Sequence, residues 1–208
     1  KMQEENSSEY YYSIEHVVGA DEYAENVTDN AFTNGAVIKC LKSAISAATI
    51  IGDNEFVDKW TDIQNHLKIW KFENGTTMEY KGYDGRMIKQ ADVNLLGYPL
   101  DISDSEQQKL DLDYYEQRID PRNGPLMSYS AFVVQYARLL NVDKATELFP
   151  KCYQPNMRPP FGVLAETPIS NNPYFATGAG GLLQAVIFGF GGLEITENGI
   201  IQLDSVLP

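Results

Sequence analysis

The chain has 208 residues, 43% of them hydrophobic, which suffices for one large domain or two small ones and excludes a disordered composition. Lys+Arg 16 against Asp+Glu 29 give a net charge of −13, which disfavours nucleic acid as a partner but not a neutral ligand such as a sugar. The two cysteines, Cys40 and Cys152, form no C-x-x-C and the two histidines, His16 and His66, stand apart, so zinc, redox and histidine-cage readings have no support.

Residues 1–13 are polar and read as a loop or frayed start, and Lys1-Met2-Gln3-Glu4-Glu5 has no signal-peptide pattern. Asp29 or Asn30 is a good N-cap for a helix running to about Ile51 and closed by Gly52. Its Ala36, Val37, Cys40, Leu41, Ala44, Ile45 and Ala48 recur at helical spacing and predict a buried face, with Cys40 as a buried thiol. A disulfide between the two cysteines stays open. Asn54 then caps a second predicted helix through about Leu67, with Phe56, Val57, Trp60 and Ile63 on one side.

Residues 68–88 change character and read as a hairpin around Asn74-Gly75. Helix returns at 103–119, capped near Ser103 or Asp104, and Pro121 and Gly124-Pro125 interrupt it. Residues 128–140 form an apolar helix and 142–150 a short amphipathic one. The Pro- and Asn-rich stretch 153–173 is a long loop, of the kind that often carries function. A glycine-rich helix follows at about 178–189, and its apolar surroundings read as buried rather than membrane-spanning. Leu193 to Leu203 read as a closing hairpin with no sheet to join, which suggests a chain cut from something longer or paired with another.

Several short stretches carry polar chemistry. Asp21 and Glu22 are adjacent acids before a helix; alone, such a pair reads as an ordinary complement to the helix dipole. Lys89-Gln90 offers donors and an acceptor suited to sugar hydroxyls, though its spacing alone equally describes a solvated patch. Glu166 lies among apolar residues, where a carboxylate is usually charge-paired. Thr177-Gly178-Ala179-Gly180-Gly181 lacks the dinucleotide fingerprint and a preceding strand, so its glycines read as close packing at a helix start. Asn6, Asn26 and Asn74 head N-glycosylation sequons.

Taken in order, Val-Val-Gly-Ala-Asp-Glu-Tyr (17–23), Asp-Asn-Ala-Phe-Thr-Asn (29–34), Ile-Lys-Gln-Ala-Asp-Val (88–93), Leu-Gly-Tyr-Pro-Leu (96–100), Gly-Pro-Leu-Met-Ser-Tyr-Ser (124–130) and Thr-Gly-Ala-Gly-Gly-Leu-Leu-Gln (177–184) resemble glycoside hydrolase family 65 over residues 14–208. The resemblance implies a mainly α fold: residues 1–192 as the second half of an (α/α)6 barrel with an internal β-hairpin, and 193–208 as the start of a C-terminal β-sheet domain. It implies the remaining half of the barrel as a partner, from the same gene product or a companion chain, and a small α-glucoside as substrate. It implies no metal and no cofactor, no membrane and no nucleic acid. The family's general acid falls on Glu22, its glucosyl-binding pair on Lys89 and Gln90, and the general base of its hydrolytic members on Glu166. The family's phosphorylases bind phosphate near Ser128 and Ser130 with a His near Gly180; that His is missing here, which favours hydrolysis over phosphorolysis. An inverting pair needs carboxyls roughly 6.5–9.5 Å apart, with Glu22 held protonated by burial or by neighbours such as Asp21. Acidic charge, few cysteines and the sequons predict an extracytoplasmic (periplasmic, secreted or vacuolar) site.

Overall fold

The computed structural model describes residues 2–3, 10–172 and 174–208, so most of the predicted polar start and the Asn6 sequon lie outside the described residues. Helix α1 spans Ala31–Ile51. Asn30 caps it with extended backbone and a side chain that accepts the Thr33 N–H at 2.8 Å, and Gly52, at φ 75°, closes it in the left-handed conformation. Within α1 only Ala31, Asn34, Gly35 and Ala48 are buried. The predicted apolar face is thus largely half-covered, and Cys40 is exposed rather than buried. The reason is packing: among the described residues α1 leans on α2 (Val57–His66) and on the turn Val93–Leu96, which cover only parts of it. Both cysteines are free. By length and composition alone α1 could cross a membrane.

Two other expectations need correction. Helix α2 starts later than an Asn54 cap would place it; Phe56 occupies the cap position without a side-chain bond and stacks on Trp60 at 5.8 Å. The hairpin at 68–88 has its turn, with Gly75 at φ 88°, but its pairing shrinks to one antiparallel bridge between Lys71 and Thr77. Thr77 is claimed elsewhere. Its N–H and hydroxyl donate to Asp111 at 2.8 and 2.9 Å, and its carbonyl accepts the Tyr115 hydroxyl at 2.7 Å. These bonds point away from the hairpin, whose own pairing is made by the Phe72 N–H to the Thr76 carbonyl and the Met78 N–H to the Trp70 carbonyl, each at 2.8 Å.

Asp111 and Tyr115 belong to α3 (Ser105–Tyr115), which Asp104 caps by accepting the Gln107 N–H at 2.8 Å. Helix α4 (Met127–Arg138) is the centre of the core: Phe132, Val133, Val134, Tyr136 and Ala137 are fully buried. Helix α5 (Val142–Leu148) and α6 (Ala176–Gln184, running on as a π-helix over Ala185–Phe190) pack on it. A Cβ on Gly178 would meet the Leu126 side chain at 2.7 Å, so the glycine-rich helix start serves close packing. The loop 153–173 holds two antiparallel two-residue strands, β3 (Met157–Arg158) and β4 (Val163–Leu164), after β1 (Met2–Gln3) and β2 (Tyr10–Tyr11) near the start. The closing hairpin pairs β5 (Leu193–Thr196) with β6 (Gly199–Gln202), and Val206 beyond it donates to the Phe190 carbonyl at 3.0 Å. The described chain is therefore mostly helical, with three small sheets.

Candidate functional site

Val17 and Val27 exchange backbone hydrogen bonds of 3.1 and 3.0 Å and close the segment between them into a loop that carries Asp21, Glu22 and Tyr23. Glu22 is not a helix-cap acid. The cap of α1 is Asn30, and the first turn of α1 holds no acidic residue. Glu22 projects instead, with 61% of its side chain exposed, so the burial expected around it is not provided by the described residues.

What fixes this loop lies beneath it. Asp92 is fully buried and accepts from the Ala20 N–H at 2.7 Å, the Asp21 N–H at 3.3 Å, the Asn30 side-chain amide at 3.0 Å and the Phe32 N–H at 3.4 Å. Desolvation pushes its carboxyl up to about 6. Those donors, and the N-terminal end of α1 beside it, favour the ionised form. Gly19 sits so close that a Cβ there would run into Asp92 and Asn30. Asp21, also buried, accepts the Lys89 N–H at 2.7 Å and the Tyr23 N–H at 3.2 Å; burial raises its pKa and those bonds draw it back. Gln90 donates its amide to the Ala20 carbonyl. Lys89 and Gln90 are thus strapped to the Glu22 loop through main chain and side chain.

Lys89 then joins the two predicted catalytic acids. Its ammonium is ion-paired with Glu22 and lies 3.9 Å from Glu166 Oε1. The bond to Glu22 is the main reason that the Lys89 pKa is raised. Glu166 arrives from the long loop between α5 and α6. Asn156 holds it there by donating to the Ala165 and Glu166 carbonyls, each at 3.0 Å, and the Leu126 N–H reaches the Glu166 carbonyl at 3.4 Å. All four sequence-derived site residues therefore meet in one place. Tyr23 flanks them, donating to Asp120 at 2.8 Å. Asp120 also accepts from Arg122 and Asn123, and these bonds hold its carboxyl far below the usual range.

Sequence reasoning assigned no role to Asp92, Asp120, Asn156 or Glu79. The one signal for Glu79 was an acid inside the otherwise apolar and hydroxylic stretch Thr77-Met78-Glu79-Tyr80. Ser128, a candidate phosphate ligand, accepts the Ala91 N–H at 2.9 Å, and Ser130 is buried. Among the described residues no group of three or more His, Cys, Asp or Glu side chains is arranged to hold a metal ion.

The chain is similar in sequence and in fold to known proteins. Residues 2–86 match the Glycosyl hydrolase family 65 central catalytic domain. The chain is 48% identical over 198 residues to a kojibiose hydrolase of Mucilaginibacter mallensis, covering 95% of this chain and 29% of that protein. It is 40% identical over 193 residues to a protein-glucosylgalactosylhydroxylysine glucosidase of Dictyostelium discoideum, covering 91% and 27%. Its fold matches a putative kojibiose phosphorylase from human microbiome with a TM-score of 0.67 at 17% identity, over 91% of this chain and 33% of that one. The chain belongs to glycosyl hydrolase family 65. It spans less than a third of the length of the relatives named here.

Proposed function

We propose that this chain carries the acid and base of an inverting α-glucoside hydrolase, with Glu22 as general acid, Glu166 as general base, and Lys89 and Gln90 as ligands of the glucosyl unit. The observation that carries the reading is the single ammonium of Lys89 within ion-pair reach of both carboxylates. Residues 1–192 are then the second half of an (α/α)6 barrel, residues 193–208 open a C-terminal β domain, and the rest of the enzyme completes the pocket. The match to about a third of a solved relative supports that placement.

Lys89 is ion-paired with Glu22, so the ammonium must find another partner before Glu22 can act as an acid. A glucosyl hydroxyl that takes the ammonium leaves Glu22 free to carry a proton. Glu22 gives that proton to the glycosidic oxygen as the bond from the anomeric carbon breaks. Glu166 takes a proton from water, whose oxygen bonds the anomeric carbon from the opposite face. The products are glucose with inverted configuration and the free alcohol; exchange with solvent resets both carboxyls. Kojibiose is the first substrate to try, given the relatives at 48% identity. The lack of a histidine near Gly180 supports water over phosphate as nucleophile. The exposed asparagines of the Asn26 and Asn74 sequons fit an extracytoplasmic site.

The test is the full-length polypeptide carrying this chain, offered a disaccharide panel with and without phosphate, with product anomers followed by NMR. Glu22→Gln and Glu166→Gln are each expected to lose about 10²–10⁴-fold in kcat. An α-glucosyl fluoride, whose leaving group needs no proton, should rescue the first variant and not the second. Retained configuration, glucose 1-phosphate as product, or normal turnover by Glu166→Gln would each overturn the reading.

A further inference from the structure

Glu79 is an acid that the reaction just described does not use. It is 1% exposed, and its side chain lies against that of Asp21, the equally buried residue beside Glu22. Two carboxyl groups can share a hydrogen bond only if one of them carries a proton. Asp21 already accepts two backbone N–H groups, which fixes it as the ionised acceptor. The other oxygen of Glu79, Oε1, is buried and has no hydrogen-bond partner among the described residues, a situation a neutral carboxyl tolerates far better than a charged one.

The groups facing Glu79 point the same way. Asp21 and Asp92 are both acids, and Tyr80, Tyr83 and Tyr115 lie around it. The cation on that side, Arg86, is held by Asp84 at 2.8 Å. Burial and the two neighbouring carboxylates together lift the Glu79 carboxyl to about 9. Its backbone is equally committed. The Glu79 carbonyl accepts the Ala31 N–H at 2.7 Å and the Asn30 amide at 3.3 Å, at the very start of α1. One residue thus touches the helix cap, through its carbonyl, and the acid-bearing loop, through its side chain.

We infer that Glu79 is a positioning residue that stays neutral in the folded protein and donates its carboxyl proton to Asp21, so that the loop holds Glu22 and Lys89 in register. As a statement about catalysis this rests on the hydrolase reading; as a statement about where a proton resides it does not. Two measurements on the full-length polypeptide separate the cases. Infrared difference spectroscopy should show the carbonyl stretch of a buried neutral carboxylic acid in the parent protein and lose it in Glu79→Gln. In α-glucoside hydrolysis, Glu79→Leu, which fills the space without a donor, should lower kcat by at least about tenfold with KM little changed. Glu79→Gln, whose amide can still donate to Asp21, should recover most of that loss. An infrared band unchanged in Glu79→Gln sinks the proposal, and so does a Glu79→Gln enzyme as impaired as Glu79→Leu. If Glu79→Leu does not fold, the infrared band and the activity of Glu79→Gln still decide. A parent protein inactive on every α-glucoside would dispose of the hydrolase reading, and the infrared result would then decide the proton alone.

Discussion

On the core side of α4 the interior is mainly apolar: Phe132, Val133 and Ala137 share one buried cluster with Leu148, Cys152 and Phe190. Beneath the Glu22 loop the interior is just as closed but polar, with Asp21, Asp29, Asn30, Asn34, Glu79 and Asp92 all buried. The first region gains from area alone and tolerates small displacements. The second gains little net energy per bond but admits only one arrangement, because every donor left without an acceptor costs desolvation. The catalytic candidates sit over the polar region. That is the expected place for groups whose positions must be held to a fraction of an ångström.

The difference can be broken from either side. The largest effect is expected in the apolar half. Phe132→Ala, at a fully buried site in the middle of α4, should cost about 3–5 kcal/mol in denaturant unfolding. A loss below about 1 kcal/mol would mean that the core closes around the cavity and is less rigid than its burial implies. Next comes the polar half. Asp92→Asn keeps the shape but turns an amide toward N–H donors, and should cost about 2–3 kcal/mol. Unlike Phe132→Ala it should also lower kcat under conditions where the protein stays folded, because it releases the main-chain bonds at Ala20 and Asp21.

How much of this contrast was legible in the sequence follows from the same physics. The apolar helices were, since Phe132, Val133 and Tyr136 recur at helical spacing, and the caps Asn30, Gly52 and Asp104 announce themselves by residue type. The degree of burial of α1 was not. Its periodicity describes a face but not what covers it, and so Cys40 was misplaced. The hairpin at Asn74-Gly75 was half legible; the turn depends on local residues, while the capture of Thr77 by Asp111 joins distant ones. Glu22, Lys89, Gln90 and Glu166 emerged only through resemblance. Their supports, Asp92, Glu79 and Asn156, stayed hidden because each acts through contacts far along the chain.

The polar region should also make stability depend on pH. Glu79 has its folded pKa raised, to about 9, above the ordinary glutamate value of 4.5. A carboxyl raised on folding contributes its full stability below the unfolded pKa and loses it as pH climbs toward the folded one. Between those values the unfolded chain releases a proton that the folded protein keeps. Stability should therefore fall by about 1.4 kcal/mol per pH unit from this group. Asp92, raised to about 6, adds to the same trend below that pH. Glu79→Gln should flatten the slope above pH 6 and leave the variant more stable than the parent at pH 8. Parallel stability curves for parent and variant would show that Glu79 ionises within the fold.

The smallest effect isolates what burial itself contributes. Asp104 makes the same kind of bond as Asp92, a carboxylate oxygen accepting a backbone N–H, here from Gln107 at 2.8 Å, but it does so in water at the exposed start of α3. Loss of the cap in Asp104→Ala leaves that N–H free to bind solvent, so about 1 kcal/mol is the expected cost. Asp104→Gly should cost only a few tenths, because glycine leaves the helix end open to water. Activity should be untouched, since Asp104 lies at the far end of α3 from Tyr115 and takes no part in the bonds of Ala20, Asn30 and Lys89 beneath the Glu22 loop. If Asp104→Ala proved as costly as Asp92→Asn, solvent would not be replacing the lost acceptor. The contrast between the two regions would then lie in the number of bonds and not in their burial.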